Sequence, residues 1–139
     1  MTAMLEYDVH LVSPSADDAR ATVKDAEIVL DTSGDGRRDA PNAAELLLTA
    51  LATCITKGVR RAAAMNRIEV GRIEVRVHGV RQDSPPKMSQ IRYEVLVETD
   101  ESDHRLDLLH RNVRKFGTVT NTVGPGTDLD GTLGRLVVG

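Results

Sequence analysis

The chain has 139 residues, of which 40% are apolar and only 2% aromatic, which is enough for one domain with an aliphatic core. Its 18 Lys and Arg against 21 Asp and Glu give a formal charge of −3, so no positive field would attract nucleic acid or an anionic membrane surface. We therefore expect a single domain over residues 1–139, with neither nucleic acid nor membrane as a partner.

Cys54 is the only cysteine, which excludes an intramolecular disulfide and a cysteine-cluster metal site. The four histidines do not have the spacing of metal ligands, so we expect no metal and no cofactor. The N-terminus lacks the basic and apolar regions of a signal peptide, and no apolar run reaches the roughly 18–20 residues that span a bilayer. These features predict a protein of the reducing cytoplasm.

The N-terminal third is predicted to form strands. Leu5–Val12 alternates apolar and polar residues as a half-buried strand does, and Ser13-Pro14-Ser15 is expected to end it. Ala21–Asp31 is rich in strand formers and broken near Asp25. The turn formers that follow predict a loop directly before the first helix.

A long helix is predicted from Asn42 to about Asn66, with Asn42 or Asp39 as its cap. Polar residues recur every three or four positions along one narrow stripe: Glu45, Thr49, Thr53, Lys57 and Arg60. The rest of Ala43–Ile55 is apolar. A helix of this kind is buried against several elements or against a second subunit.

The second half predicts a hairpin and a second helix. Ile68–Arg81 and Met88–Thr99 alternate in the manner of two antiparallel strands with one wet face. A helix then begins at Ser102 or Asp103, and Gly117 is expected to end it.

The last segments predict a short helix over Thr118–Thr122 and a final strand over Leu133–Val138, with Asp128-Leu129-Asp130 as a loop between them. Strands and helices do not alternate as βαβ units. The predicted fold class is α+β, with a largely antiparallel sheet and two main helices.

Cys54 is the residue with the clearest chemical potential. Lys57 lies one turn away on the helix and Arg61 two turns away, and such cations favour the nucleophilic thiolate. Gly58, at the fourth position after the cysteine, is expected to relieve crowding where another element approaches. The other interpretation of Cys54 is a small core residue on an Ala-rich helix.

Two segments carry a family resemblance: Pro41–Cys54, which has a Pro/Asn start, an acidic residue and a Leu/Ala-rich helix ending in cysteine, and Gly117-Thr118-Val119-Thr120-Asn121-Thr122. They resemble the two motifs of the OsmC/Ohr family, the osmotically induced and organic hydroperoxide resistance proteins. The order of elements agrees along nearly the whole chain. The resemblance implies an OsmC-like fold and an intertwined homodimer.

The resemblance also implies a chemistry, in which a cysteine thiolate attacks the peroxide bond and a second cysteine resolves the sulfenic acid. Cys54 matches the first cysteine, whereas Gly117 stands at the position of the second, so no intrachain disulfide can form. The family's glutamate position falls on Ala44, with Glu45 adjacent to it.

The remaining site candidates are assigned by position. The resemblance implies that an arginine and a glutamate organise the site, and the arginines considered are Arg37 and Arg38, in the loop before the helix, and Arg20, before a strand. The candidate catalytic residues are Cys54, Glu45, Arg37 and Arg38. The candidate binding residues are Lys57, Gly117, Thr118 and Thr120.

Two functions remain open at this point. The first is a one-cysteine peroxidase that reduces small organic hydroperoxides, with an external thiol or dithiol as reductant. The second is a non-catalytic dimer that has kept the fold and binds an apolar small molecule. The loss of the resolving cysteine favours the second function, and Cys54 with its basic neighbours favours the first.

Overall fold

The computed structural model describes residues 4–137. These fall into two compact units, one ending at Leu47 and one beginning at Leu48. In chain order the elements are β1 (His10–Ser15), β2 (Asp18–Val23), β3 (Ala26–Leu30), α1 (Ala43–Met65), β4 (Ile73–Asp83), β5 (Pro86–Val97), α2 (Asp103–Phe116), α3 (Thr118–Val123) and β6 (Asp128–Arg135). A 3-10 turn, Gly124–Gly126, links α3 to β6. The fold class is α+β, as the element order predicted.

The first unit holds an antiparallel meander in the order β1-β2-β3. The predicted break near Asp25 is confirmed: Lys24, at the turn between β2 and β3, has a φ of 55°. Ala19, Ala21 and Leu30 form a small buried cluster, against which Ile28 and Leu46 pack.

The predicted bounds of the first strand are wrong. β1 begins at His10 and runs through Pro14 to Ser15, because its pairing with β2 extends from His10 opposite Thr22 to Ser15 opposite Asp18. A proline is tolerated there because β1 is an edge strand with an irregularity in its register.

The second unit holds the sheet β4-β5-β6. The predicted hairpin is confirmed: β4 and β5 pair antiparallel from Ile73 opposite Val97 to Asp83 opposite Pro86. β6 pairs parallel to β5. The chain therefore crosses over from the end of β5 to the start of β6 through α2 and α3, a connection that the sequence had not indicated.

The final strand was predicted too late in the chain. β6 begins at Asp128, inside the segment expected to be a loop, and ends at Arg135; Val138 lies outside the described residues. Asp130 and Gly131 look like turn formers, yet they pair in register with Arg92 and Tyr93 of β5. The Tyr93 ring lies over the bare Cα of Gly131, where a side chain would collide with it.

One aliphatic core fills the second unit. Buried residues from α1, α2 and β5 meet in it, among them Leu51, Ile55, Leu109, Ile91 and Val95. The polar stripe predicted for α1 is confirmed, since each of its members is exposed, whereas the apolar face turns towards β5 and α2. No helix among residues 4–137 is long and apolar enough to cross a membrane.

Candidate functional site

Cys54 lies in the middle of α1 and is half-buried. Leu51 and Ile55, on either side of it, are both 1% exposed and belong to the core. Cys54 therefore lies at the border of the core. Packing of the helix fixes the orientation of its side chain, while part of the residue stays accessible.

Gly117, at the junction of α2 and α3, is buried and adjoins Cys54. A Cβ placed on Gly117 would lie 3.2 Å from the Cys54 Sγ and 2.8 Å from the Thr120 Oγ1. Its φ of −78° is open to any residue, so glycine serves here through its lack of a side chain. The two positions that the sequence assigned to reactive and resolving cysteines are thus neighbours in space.

Gly58, one turn after Cys54, is buried against α2. A Cβ at Gly58 would lie 3.4 Å from the Val113 Cγ2 and 3.8 Å from the Arg61 Nη2. The expected approach of another element at this glycine is confirmed. Arg61 folds its guanidinium back over the same spot.

Thr118 and Thr120 lie in α3 but differ in exposure. Thr118 is exposed, and its carbonyl accepts a 2.8 Å hydrogen bond from the Thr122 hydroxyl. Thr120 turns inwards, and its Oγ1 is buried without a hydrogen-bond partner. Of the two candidates, Thr120 is the one that contacts the surroundings of the cysteine.

Lys57 is exposed and points to a different surface. With Ala52, Thr56, Arg60 and Val75 it borders a largely apolar groove of about 550 Å³ along the outer side of α1. Within residues 48–137, the structure shows no hydrogen bond or ion pair to the Cys54 sulfur. The effect of Lys57 on the Cys54 thiolate stays a prediction.

Glu45 helps to start α1. The Asn42 side chain accepts a 2.9 Å hydrogen bond from the Glu45 amide, and the Glu45 carboxylate accepts a 3.1 Å bond from the Asn42 amide. This reciprocal pair is a capping box, which satisfies two amides that the first helical turn leaves free. Glu45 thus has a structural role at the start of α1, and its catalytic role stays a prediction.

Arg37 organises the loop before the helix. Its guanidinium donates two 2.9 Å hydrogen bonds to the Asp39 carboxylate and one of 3.0 Å to the Asp17 carbonyl. The Ser33 hydroxyl and the Arg37 backbone amide donate to Asp31, which holds the pKa of that carboxyl below its usual range. Arg38 is exposed. The catalytic roles of both arginines stay predictions.

A polar cluster that the sequence did not reveal lies between β5 and α2. The Tyr93 hydroxyl is 2.6 Å from the His110 Nε2, and the two rings meet edge to face at 5.6 Å. Burial lowers the pKa of His110, and the nearby Arg114 lowers it further, so the neutral ring is favoured. Burial also raises the pKa of Tyr93.

This cluster borders a cavity of about 220 Å³. Tyr93, Arg114, Thr120 and Asn121 line it, together with Leu129 and the Gly124-Pro125 turn. Arg114 is held by a 2.7 Å bond to Asp130. Thr120 belongs both to the cavity wall and to the surroundings of Gly117 and Cys54.

Comparison with known proteins identifies the family. The family model of OsmC-like proteins matches residues 34–130. The chain belongs to the OsmC-like protein family. The match includes both segments that carried the resemblance and every candidate site residue. No curated protein sequence matches the chain.

Solved structures of the family share the fold. The OsmC-like protein of Mycoplasma pneumoniae is 17% identical, with a TM-score of 0.87 over 96% of this chain and 99% of that one. The organic hydroperoxide resistance protein OhrB of Bacillus subtilis is 18% identical, with a TM-score of 0.69 over 94% and 99%. A protein of the same description from Legionella pneumophila is 14% identical, with a TM-score of 0.73 over 98% and 100%.

Proposed function

We propose that this OsmC-like protein is a thiol-dependent hydroperoxide reductase with Cys54 as its sole peroxidatic cysteine. The observation that supports the proposal best is the nearness of the Cys54 sulfur to residue 117, because the family resemblance assigns the peroxidatic and the resolving cysteine to these two positions. The related structures described as organic hydroperoxide resistance proteins support the substrate class.

The reaction begins with the thiolate of Cys54. Its sulfur attacks the outer oxygen of ROOH, the O–O bond breaks, and the alkoxide leaves with a proton as ROH. The sulfur is oxidised to sulfenic acid, and the peroxide is reduced to the alcohol. This step needs a nucleophilic sulfur, a donor for the leaving oxygen and room for R.

An external thiol completes the cycle because Gly117 carries no sulfur. A first thiol group attacks the sulfenic acid and releases water, which gives a mixed disulfide with Cys54. A second thiol group, on the same dithiol or on another thiol molecule, attacks this mixed disulfide, frees the Cys54 thiol and forms the disulfide of the reductant. A reducing cytoplasm, which we propose as the location, would supply such thiols.

The size of the cavity beside Thr120 favours a compact substrate. Its volume of about 220 Å³ lies below the roughly 300–1,000 Å³ of pockets for drug-sized ligands. Cumene or tert-butyl hydroperoxide fits this scale better than a long-chain lipid hydroperoxide. The lining mixes Tyr93 and Leu129 with the polar Arg114 and Asn121, which suits an apolar body with a polar end.

We propose further that the working form is a homodimer. In the single chain several large apolar side chains are exposed: Leu5 by 78%, Tyr7 by 77%, Val9 by 66% and Leu47 by 38%. Monomers rarely expose such a series, and a second copy would cover it. Sedimentation at micromolar concentration should show one dimeric species; a stable folded monomer would contradict the proposal.

One observation favours the alternative function, a non-catalytic dimer that binds an apolar small molecule. No charged group of residues 48–137 bonds to the Cys54 sulfur, whereas the groove along α1 is largely apolar. In this alternative the groove beside Val75 holds the ligand and Cys54 is a packing residue.

Turnover separates the two functions. The wild type and Cys54→Ser are mixed with cumene hydroperoxide, with and without dithiothreitol, and the loss of peroxide is followed. We expect multiple turnovers only for the wild type with dithiol, and one equivalent consumed without it. Equal consumption by both proteins would overturn the peroxidase and leave the binding function.

A further inference from the structure

Thr120 holds a buried hydroxyl that has no partner. Within residues 4–137, the buried side-chain atoms without a hydrogen bond are Arg105 Nε, Asn112 Oδ1 and Thr120 Oγ1. A buried donor without an acceptor lowers stability, because water satisfies it in the unfolded chain. Thr120 differs from the other two in that it borders Gly117 together with the Cys54 sulfur.

The absence of a side chain at Gly117 brings the two atoms to the same spot. The Thr120 Oγ1 from α3 and the Cys54 Sγ from α1 lie 2.8 and 3.2 Å from the point where a Cβ of residue 117 would stand. Both atoms therefore border the space that a side chain at position 117 would fill. A larger residue there would have to displace one or both of them.

The hydroxyl makes no hydrogen bond to the sulfur of Cys54, which is a free cysteine in this structure. A thiol sulfur is a weak acceptor, whereas a thiolate is a strong one, and a hydroxyl hydrogen rotates to suit its acceptor. Ionisation of Cys54 thus supplies the acceptor that Thr120 lacks.

We infer that Thr120 is a positioning residue, whose hydroxyl donates a hydrogen bond to the Cys54 thiolate and fixes the position of the sulfur beside Gly117. The role in catalysis rests on the proposed function, since the thiolate is the species that attacks the peroxide. The hydrogen bond itself does not depend on that function.

Two variants separate this role from packing. Thr120→Val keeps the shape of the side chain and removes the donor, and Thr120→Ser keeps the donor and removes a methyl group. For each protein we would measure the rate of Cys54 alkylation by iodoacetamide between pH 5 and 9, the single-turnover consumption of cumene hydroperoxide, and unfolding in urea.

We expect Thr120→Val to slow alkylation about threefold to tenfold near neutral pH, because a lost bond to a charged group reduces the thiolate population while the remaining thiolate becomes more nucleophilic. Thr120→Ser should follow the wild-type pH profile. The Val variant should unfold at the same or a higher urea concentration, since it removes an unsatisfied hydroxyl.

The inference is overturned if the Val variant keeps the wild-type alkylation profile, or if the Ser variant is as slow as the Val variant. Should the Val variant not fold cooperatively, Thr120→Ala provides the same loss of the donor. A wild type that consumes no hydroperoxide while Thr120→Val still slows alkylation would reject the proposed function and retain the hydrogen bond. If hydroperoxide consumption depends on Cys54 but is unchanged in the Val variant, the positioning role of Thr120 is rejected and the proposed peroxidase function is retained.

Discussion

Gly117→Cys should restore an intrachain disulfide with Cys54. The Cβ position of residue 117 lies 3.2 Å from the Cys54 Sγ, and in a disulfide a Cβ stands about 3 Å from the distant sulfur. This distance is therefore met without movement of the backbone. One equivalent of cumene hydroperoxide should form the sulfenic acid, and the introduced thiol should then close the bond and release water.

Two opposing terms set the stability of this variant. The new Cβ approaches the Thr120 Oγ1 to 2.8 Å, so the side chain must shift, at a cost of about 1–3 kcal/mol. A bond that closes a loop of about 60 residues contributes about 4 kcal/mol by restricting the unfolded chain. We expect the oxidised variant to be about 1–3 kcal/mol more stable than the wild type, and the reduced variant less stable by the cost of the shift.

The assay is intact mass and free-thiol count before and after oxidation, with urea unfolding of each form. Gly117→Ala is the matched control, because it adds the same Cβ without a sulfur and should show the steric cost alone. Two free thiols that persist in the folded protein after treatment with diamide would refute the placement of Cys54 beside residue 117.

Two further predictions test other contacts. Asn42→Ala should lower the free energy of unfolding by about 1 kcal/mol through loss of the capping box, while Asn42→Asp keeps the cap; urea denaturation measures both. The pKa of His110 should lie below about 6.5, because burial and the nearby Arg114 disfavour the charged ring. Because the unfolded chain takes up this proton first, His110 should reduce stability as the pH falls below about 6.5, and NMR titration of the ring would show whether its pKa is instead at or above that value.

Much of the fold was predictable because the hydrophobic period is clear. α1 and the β4–β5 hairpin follow their patterns closely, since one face of each meets the core. The start of β6 was not predictable, because it depends on a contact between residues distant in sequence. The Tyr93 ring packs over Gly131, where only glycine leaves room for it, and Gly131 is therefore accommodated in the strand. Local turn preference was overridden by a tertiary contact.

The site was predictable only in part. The nearness of Cys54 and Gly117 followed from the resemblance of two motifs, which no spacing within either motif could give. The contact of Tyr93 with His110 joins a strand to a helix, so it carries no local signal. Glu45 illustrates the reverse case: the Asn-x-x-Glu spacing is a capping signal that could have been recognised in the sequence.

The most direct test of the account is the mass of the protein after one equivalent of cumene hydroperoxide in the presence of dimedone, which traps sulfenic acid. The account predicts one dimedone adduct per chain, located on Cys54, and none in Cys54→Ser. An unmodified Cys54 with the hydroperoxide still intact would contradict it.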